Sequence, residues 1–171
     1  LVVKVEENSF DLAQLYLECV RRLRENRIEL KTNSIFKKRD LKKFDLVINA
    51  TYANLNEILD EEDQLEYQFE LCEKPIISVG KEWANTGVVI MDGEFCCIDP
   101  LGFNKYFHVL GHVKEAIHDR QVGLKYKIPP GYSTVLNMST CKTSLSRFPF
   151  ILAGCSEFFK FESEPVIPES S

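Results

Sequence analysis

Between residues 67 and 113 the chain alternates short apolar runs with tight-turn signals, the cadence of neighbouring antiparallel strands. Tyr67-Gln68-Phe69-Glu70-Leu71-Cys72-Glu73 alternates apolar with polar, as a strand with one wet face does. Pro75-Ile76-Ile77-Ser78-Val79, Thr86-Gly87-Val88-Val89-Ile90-Met91 and Glu94-Phe95-Cys96-Cys97-Ile98 follow at short spacing. Asp92-Gly93 between the last two is a hairpin signal, because Asp and Gly tolerate the positive φ that tight hairpin turns require. Asp99-Pro100-Leu101-Gly102-Phe103-Asn104 predicts a second turn, and the chain returns as Tyr106-Phe107-His108-Val109-Leu110-Gly111-His112-Val113. Beyond Val122 the pattern fades. Ile128-Pro129-Pro130-Gly131-Tyr132 reads as a turn, residues 147–161 are apolar without a clear period, and residues 162–171 read as a flexible tail.

The preceding part has a different rhythm. Leu1-Val2-Val3-Lys4-Val5 reads as a strand and Glu6-Glu7-Asn8-Ser9 as a polar break. Leu12, Leu15, Tyr16, Cys19, Val20 and Leu23 then fall on one face at helical spacing, with Ser9 or Asp11 available as cap and Arg21, Arg22 and Arg24 suited to the negative end of the dipole. Asn26 is a natural stop. Arg27-Ile28-Glu29-Leu30-Lys31-Thr32-Asn33 alternates as a strand, Ser34-Ile35-Phe36 follows it, and a basic run at residues 37–43 leads into Phe44-Asp45-Leu46-Val47-Ile48-Asn49-Ala50-Thr51. That last stretch predicts a buried strand ending in small and hydroxyl residues. Asn54-Leu55-Asn56-Glu57-Ile58-Leu59 predicts a short helical turn. Strand, helix, strand and a further strand is the back half of a doubly wound unit, in which cofactors bind just beyond the strand ends.

Composition excludes several classes. A net charge of −5 over 171 residues argues against a nucleic-acid binder, since phosphate binding needs a basic surface. No apolar run approaches a membrane span and no signal-peptide pattern opens the chain. The six cysteines form no CxxC pair and suit a reducing compartment, the cytoplasm; the adjacent Cys96 and Cys97 would point to opposite faces of a strand. Asn49-Ala50-Thr51 and Asn137-Met138-Ser139 match the glycosylation pattern, the first inside an apparently buried strand. His108 and His112, four apart in a strand, share a face at about 13 Å, which does not make a metal pair, and His118 completes no ligand motif. Neither a P-loop, a Ser-His-Asp order nor a paired-carboxylate motif stands out, and the sequence singles out no catalytic residue. The first residue is not Met and lies directly in a strand-like run, as expected of an excised segment.

Four segments carry a family resemblance. Val5-Glu6-Glu7-Asn8-Ser9-Phe10-Asp11 leads into the long helix, and residues 27–36 follow it as a strand. Asp45-Leu46-Val47-Ile48-Asn49-Ala50-Thr51 matches a strand ending in an "A-T-G" or "C-T-G" turn. Phe95-Cys96-Cys97-Ile98-Asp99-Pro100 followed by Phe107-His108-Val109-Leu110-Gly111 matches a hairpin of a substrate sheet. In order and spacing these resemble the middle, substrate-domain portion of the D-amino-acid oxidase-like (glycine oxidase-like) family of FAD-dependent oxidoreductases. Two positions depart from that pattern: Tyr52 stands where the family usually has Gly, and His112 where a Thr commonly follows the Gly. The family's N-terminal G-x-G-x-x-G unit and the C-terminal segment that returns to the flavin are both absent, so the resemblance implies that missing N- and C-terminal segments of the same protein complete the FAD site.

The resemblance implies Ile35, Phe36, Asn49, Ala50 and Thr51 at the cofactor edge, and Tyr106, His108 and His112 facing a small-molecule substrate. Tyr67 and Trp83 are further candidates to line that pocket. It also implies oxidation of an amine, amino acid or similar molecule by hydride transfer to the flavin, with protein groups orienting the substrate. The expected fold is mixed α+β. Residues 1–64 would form a partial FAD-binding portion, the remnant of a doubly wound nucleotide-binding sheet, and residues 65–161 an antiparallel substrate-domain sheet. The competing expectation is a non-enzymatic α+β binding module whose exposed sheet docks a protein or peptide.

Overall fold

The computed structural model describes residues 2–6, 10–91, 93–102, 104–136, 143–162 and 165–167. Among the described residues the strands are β1 (Tyr67–Cys72), β2 (Ile76–Ser78), β3 (Val88–Ile90), β4 (Cys96–Leu101), β5 (Asn104–His112) and β6 (Ile117–Gly123), with α-helices α1 (Leu12–Glu25) and α2 (Phe148–Ser156). The fold is mixed α+β with two antiparallel sheets. Two compact units organise it: Leu1–Glu29, Cys72–Ile117 and Met138–Ser171 in one, Leu30–Leu71 and His118–Asn137 in the other. The sequence-based boundary at residues 64 and 65 falls inside the second unit, just before β1.

The first unit is built on a sheet in the order β2-β5-β4-β3. The predicted hairpin is present. Val88 pairs with Ile98 and Ile90 with Cys96, and Gly93 in the connection takes φ +86°, a conformation Gly adopts without penalty. Asp92, the other half of that turn, lies outside the described residues. The turn expected over residues 99–104 is tighter than the sequence suggested, because Asp99 and Pro100 continue β4 opposite Val109 and His108. Pro100 lies beyond the last β3 pairing, so its missing N–H removes no ladder bond on that side.

The apolar residues 147–161, without a period in the sequence, become α2 and the turn after it. Pro149 sits in the first helical turn, where it interrupts no internal hydrogen bond. Ile151, Cys155 and Phe159 close over Ile77, Cys96, Ile98 and Leu110 to form the core. Two glycines permit the close approach. A Cβ on Gly154 would lie 2.7 Å from the His112 ring, and one on Gly111 would lie 2.7 Å from Cys97 Sγ. Cys97 thus packs against Gly111 while Cys96 joins the core, the opposite facing expected of adjacent strand residues.

The start of α2 is held from far away in sequence. The buried Glu73 carboxylate accepts from Ser146 Oγ at 2.6 Å and from the Arg147 backbone N–H at 2.6 Å. Arg147 in turn donates to the Glu115 backbone carbonyl at 2.6 Å and its carboxylate at 2.7 Å. A carboxylate at a helix N-terminus also complements the dipole.

Helix α1, in the same unit, is capped locally. Asp11 Oδ1 accepts from Ala13 N–H at 2.8 Å and Gln14 N–H at 3.3 Å, whereas Ser9, the other cap candidate, lies outside the described residues. The helix closes at Asn26, as expected, and Arg27 then adopts φ 55°. Ile28 N–H bonds back to Leu23 O and Arg27 N–H to Arg24 O, the Schellman pattern that positive φ allows. No residue of α1 is buried.

The second unit carries the β1–β6 sheet and 3-10 turns at Lys38–Lys43, Tyr52–Ile58 and Glu61–Asp63. The turn expected at residues 54–59 is therefore present, two residues early. The basic run also folds into a turn, with Asp40 accepting from Lys37 N–H and the Lys43 ammonium. The strands expected at residues 27–33 and 45–51 do not form: Arg27 and Asn33 take positive φ, and neither stretch joins a sheet among the described residues, nor do residues 2–5 in the first unit. A strand is held by its neighbours, and here none is supplied, so Val2, Ile28, Leu30, Ile35, Leu46 and Ile48 stay exposed. Asn137-Met138-Ser139, Cys141 and most of the expected flexible tail lie outside the described residues.

Candidate functional site

The candidate cofactor-edge residues and the candidate substrate residues fall in different compact units. Ile35, Phe36, Asn49, Ala50 and Thr51 belong to the second, and Tyr106, His108 and His112 to the first.

In the second unit the stretch ending at Thr51 closes into a turn organised by one side chain. Asn49 Oδ1 accepts from Thr51 N–H at 3.3 Å and Thr51 Oγ1 at 2.7 Å, and its Nδ2 donates to Leu55 O at 2.8 Å. Asn side chains readily stabilise such turns, because the amide oxygen mimics a backbone acceptor. Ala50 and Thr51 remain exposed at the tip, and Ile35 and Phe36 are exposed on their extended segment. The next residue, Tyr52, takes φ 53°, the left-handed region that Gly occupies without penalty.

The base of the turn is fixed by a residue that sequence reasoning missed. Asn56, 3% exposed, donates from Nδ2 to Leu65 O and Leu124 O, both at 2.8 Å, and accepts from Leu65 N–H at 3.3 Å. It thereby joins the turn to the segments flanking β1 and β6. A buried Asn carries no periodic signal. The only hint was its place in Asn54-Leu55-Asn56, within an otherwise apolar turn.

In the first unit, alternation along β5 puts Tyr106, His108, Leu110 and His112 on one face. That is the face α2 covers. His108 is fully buried, with Nε2 3.2 Å from Thr86 O, so this nitrogen carries the proton, and Nδ1 has no partner among the described residues. His112 Nδ1 accepts from the Lys114 and Glu115 N–H groups, each at 3.2 Å, and the ring lies under Gly154. Both imidazoles are thus bound to backbone in a packed layer. Tyr106 is half-buried, with the Lys105 ammonium 5.0 Å from its ring centre. Trp83 packs its ring against Phe159 and Phe161 at 5.6 and 5.5 Å, and its Nε1 is buried without a partner among the described residues. Tyr67, on β1, stands edge-on to Phe69 at 6.2 Å.

Metal and thiol chemistry are governed by burial. Among the described residues no three His, Cys, Asp or Glu side chains group as metal ligands do. His118 is in the second unit, 3.2 Å from the Tyr132 hydroxyl, while His108 and His112 are in the first. Cys19, Cys96, Cys97 and Cys155 are free thiols. Burial pushes the Cys155 and Cys96 thiols up, and burial followed by the neighbouring Asp99 charge pushes Cys97 to about 11. None of these three is a ready thiolate nucleophile at neutral pH. No helix of the described residues is long and apolar enough to cross a membrane.

Comparison with profiles of known protein families, with characterised proteins and with solved structures found no match to this chain.

Proposed function

We propose that this chain is the middle portion of an FAD-dependent oxidoreductase of the D-amino-acid oxidase-like family, acting on an amine, amino acid or similar small molecule. The observation that carries the reading is the exposure of apolar residues in each compact unit: in the first, helix α1 has no buried residue and Val2 and Ile28 are exposed, and in the second Leu30, Leu46 and Ile48 are exposed. Exposed apolar stretches of this kind suit segments that further chain would cover. A nucleotide-binding sheet supplied by other segments of the same protein would turn these segments into paired strands, the remnant of a doubly wound unit.

On this reading a flavin edge would lie against the turn at Asn49–Thr51. The Asn49–Thr51 turn is closed on itself by Asn49, leaves Ala50 and Thr51 exposed, and ends in a left-handed backbone at Tyr52. Ile35, Phe36, Asn49, Ala50 and Thr51 would hold the cofactor, which supplies hydride acceptance when bound. On the substrate side Tyr106 remains half-open, while His108 and His112 would act by keeping the layer beneath the substrate rigid and dry. A reducing cytoplasm suits the free thiols.

A second reading has its own support. The first unit already closes a core of Ile77, Ile98, Leu110 and Ile151, as a self-contained binding module would. One experiment separates the two: purify the complete native gene product, denature it, and measure released FAD by absorbance and mass. Stoichiometric flavin supports the oxidoreductase. A folded, unproteolysed protein without flavin overturns it in favour of the binding module.

A further inference from the structure

Helix α2 is apolar on every side. Its nine residues carry no charged side chain, and a helix of that composition is ordinarily covered all round. Here the core covers one side. Ile151 and Cys155 are buried in it, while Pro149, Phe150 and Ala153 are exposed and Leu152 is half-buried. Pro149, Leu152, Ala153 and Ser156 fall at i, i+3, i+4 and i+7, so they share one face, and that face lines an open concavity of about 730 Å³. The chain after α2 adds Phe159 and Phe161 to the lining, and both rings pack against Trp83, at 5.6 and 5.5 Å between centroids.

Polarity at this concavity is concentrated in one group. Ser156 Oγ already donates to Leu152 O at 2.7 Å. Lys160 is the one charged residue among the described lining residues, and its ammonium is exposed and forms no ion pair among the described residues. The volume falls within the range of about 300–1,000 Å³ typical of small-molecule sites, which are likewise mostly apolar with a small number of polar groups. We propose that the concavity binds a single-chain amphiphile with a carboxylate head. The chain lies along the Pro149, Leu152 and Ala153 face and the carboxylate pairs with Lys160. One ammonium matches a single negative charge, whereas a phosphate head draws on several donors that this lining does not offer. The site lies wholly in the first unit and does not depend on the flavin reading.

The test titrates the complete chain with dodecanoate, kept below its micelle concentration, and follows the emission of Trp83, the one tryptophan of the sequence. Dodecanol is the uncharged control. A saturable change with dodecanoate, and weaker binding of dodecanol, are expected. Lys160→Met keeps an apolar stem without the charge and should bind dodecanoate roughly 2- to 10-fold more weakly, with dodecanol unchanged. Ala153→Glu sets a carboxylate on the lining face and should weaken dodecanoate by at least about tenfold. Both positions are exposed, and if one variant fails to fold the other decides. The absence of a saturable response overturns the proposal, as does equal dodecanoate affinity in wild type and Lys160→Met or dodecanol binding as tightly as dodecanoate. Binding that survives Ala153→Glu lies elsewhere and overturns it too. Sedimentation of the ligand-free chain tests the other occupant: a dimer that Ala153→Glu dissolves would mean that a second copy covers this face, and the amphiphile site would fall.

Discussion

The two α-helices among the described residues invert the usual relation between pattern and burial. Helix α1 has the clearest apolar stripe in the sequence and buries none of it, whereas α2 has no readable period and supplies the fully buried Ile151 and Cys155. The caps differ in the same sense. Asp11 holds the start of α1 from the adjacent position, while Glu73 holds the start of α2 across 74 residues. Amphipathicity states which face of a helix can be buried. Whether it is buried depends on what the rest of the chain brings to it, and here the sheet residues Ile77, Ile98 and Leu110 go to α2.

Substitutions can break this contrast. The largest effect belongs to Ile151→Ala, expected to cost about 2–5 kcal/mol in urea unfolding because it opens a cavity in the core that α2 shares with the sheet. Leu15→Ala in α1 should stay within about 0.5 kcal/mol in this chain, as an exposed substitution does; equal losses at the two positions would erase the contrast. Next comes Glu73→Ala, which leaves Ser146 Oγ and the Arg147 N–H without their acceptor and should cost about 1–3 kcal/mol by the same measurement. Asp11→Ala should cost about 1 kcal/mol and show chiefly as lost helicity in circular dichroism. If it destabilises more than Glu73→Ala, α1 is more firmly integrated than its exposure indicates.

The smallest effect is electrostatic. Hydrogen bonds from the Arg21 and then the Arg22 guanidinium hold the Glu18 carboxyl at about 2, below its ordinary 4.5. Because the folded-state value is depressed, this contribution is present above pH 4.5 and is lost as pH falls toward 2. Circular dichroism of α1 should therefore weaken across that window, and Glu18→Gln should flatten the response. The pair is exposed, so added salt should shrink the effect. Identical acid titrations for wild type and Glu18→Gln would mean that the pair contributes nothing to the helix.

Much of the first unit was legible from local chemistry. Gly93 marked the β3–β4 hairpin, apolar runs between turn signals marked β4 and β5, and Asp11 and Asn26 marked both ends of α1. The turn that Asn49 closes with Thr51 was expected only as the end of a buried strand, because the apolar run before it carries a strand pattern. The left-handed backbone at Tyr52 was not, since a tyrosine gives no sign of positive φ. Nor was the role of Asn56 or Glu73. Each bonds to groups distant in sequence, and only the folded chain brings those groups within reach.

What the sequence by itself determined are the features written within a few residues of one another: the strand alternation, the tight turns, the helix caps and the apolar stripe of α1. What only the tertiary structure decided is which of these surfaces is covered. Residues 27–33 and 45–51 have strand-like patterns but no strand neighbours, and His108 and His112 become core because β5 turns that face toward α2. The physical reason is the same in each case. Backbone hydrogen bonds across a sheet and the burial of apolar area are made between segments far apart in the chain, so no local pattern can specify which partner arrives.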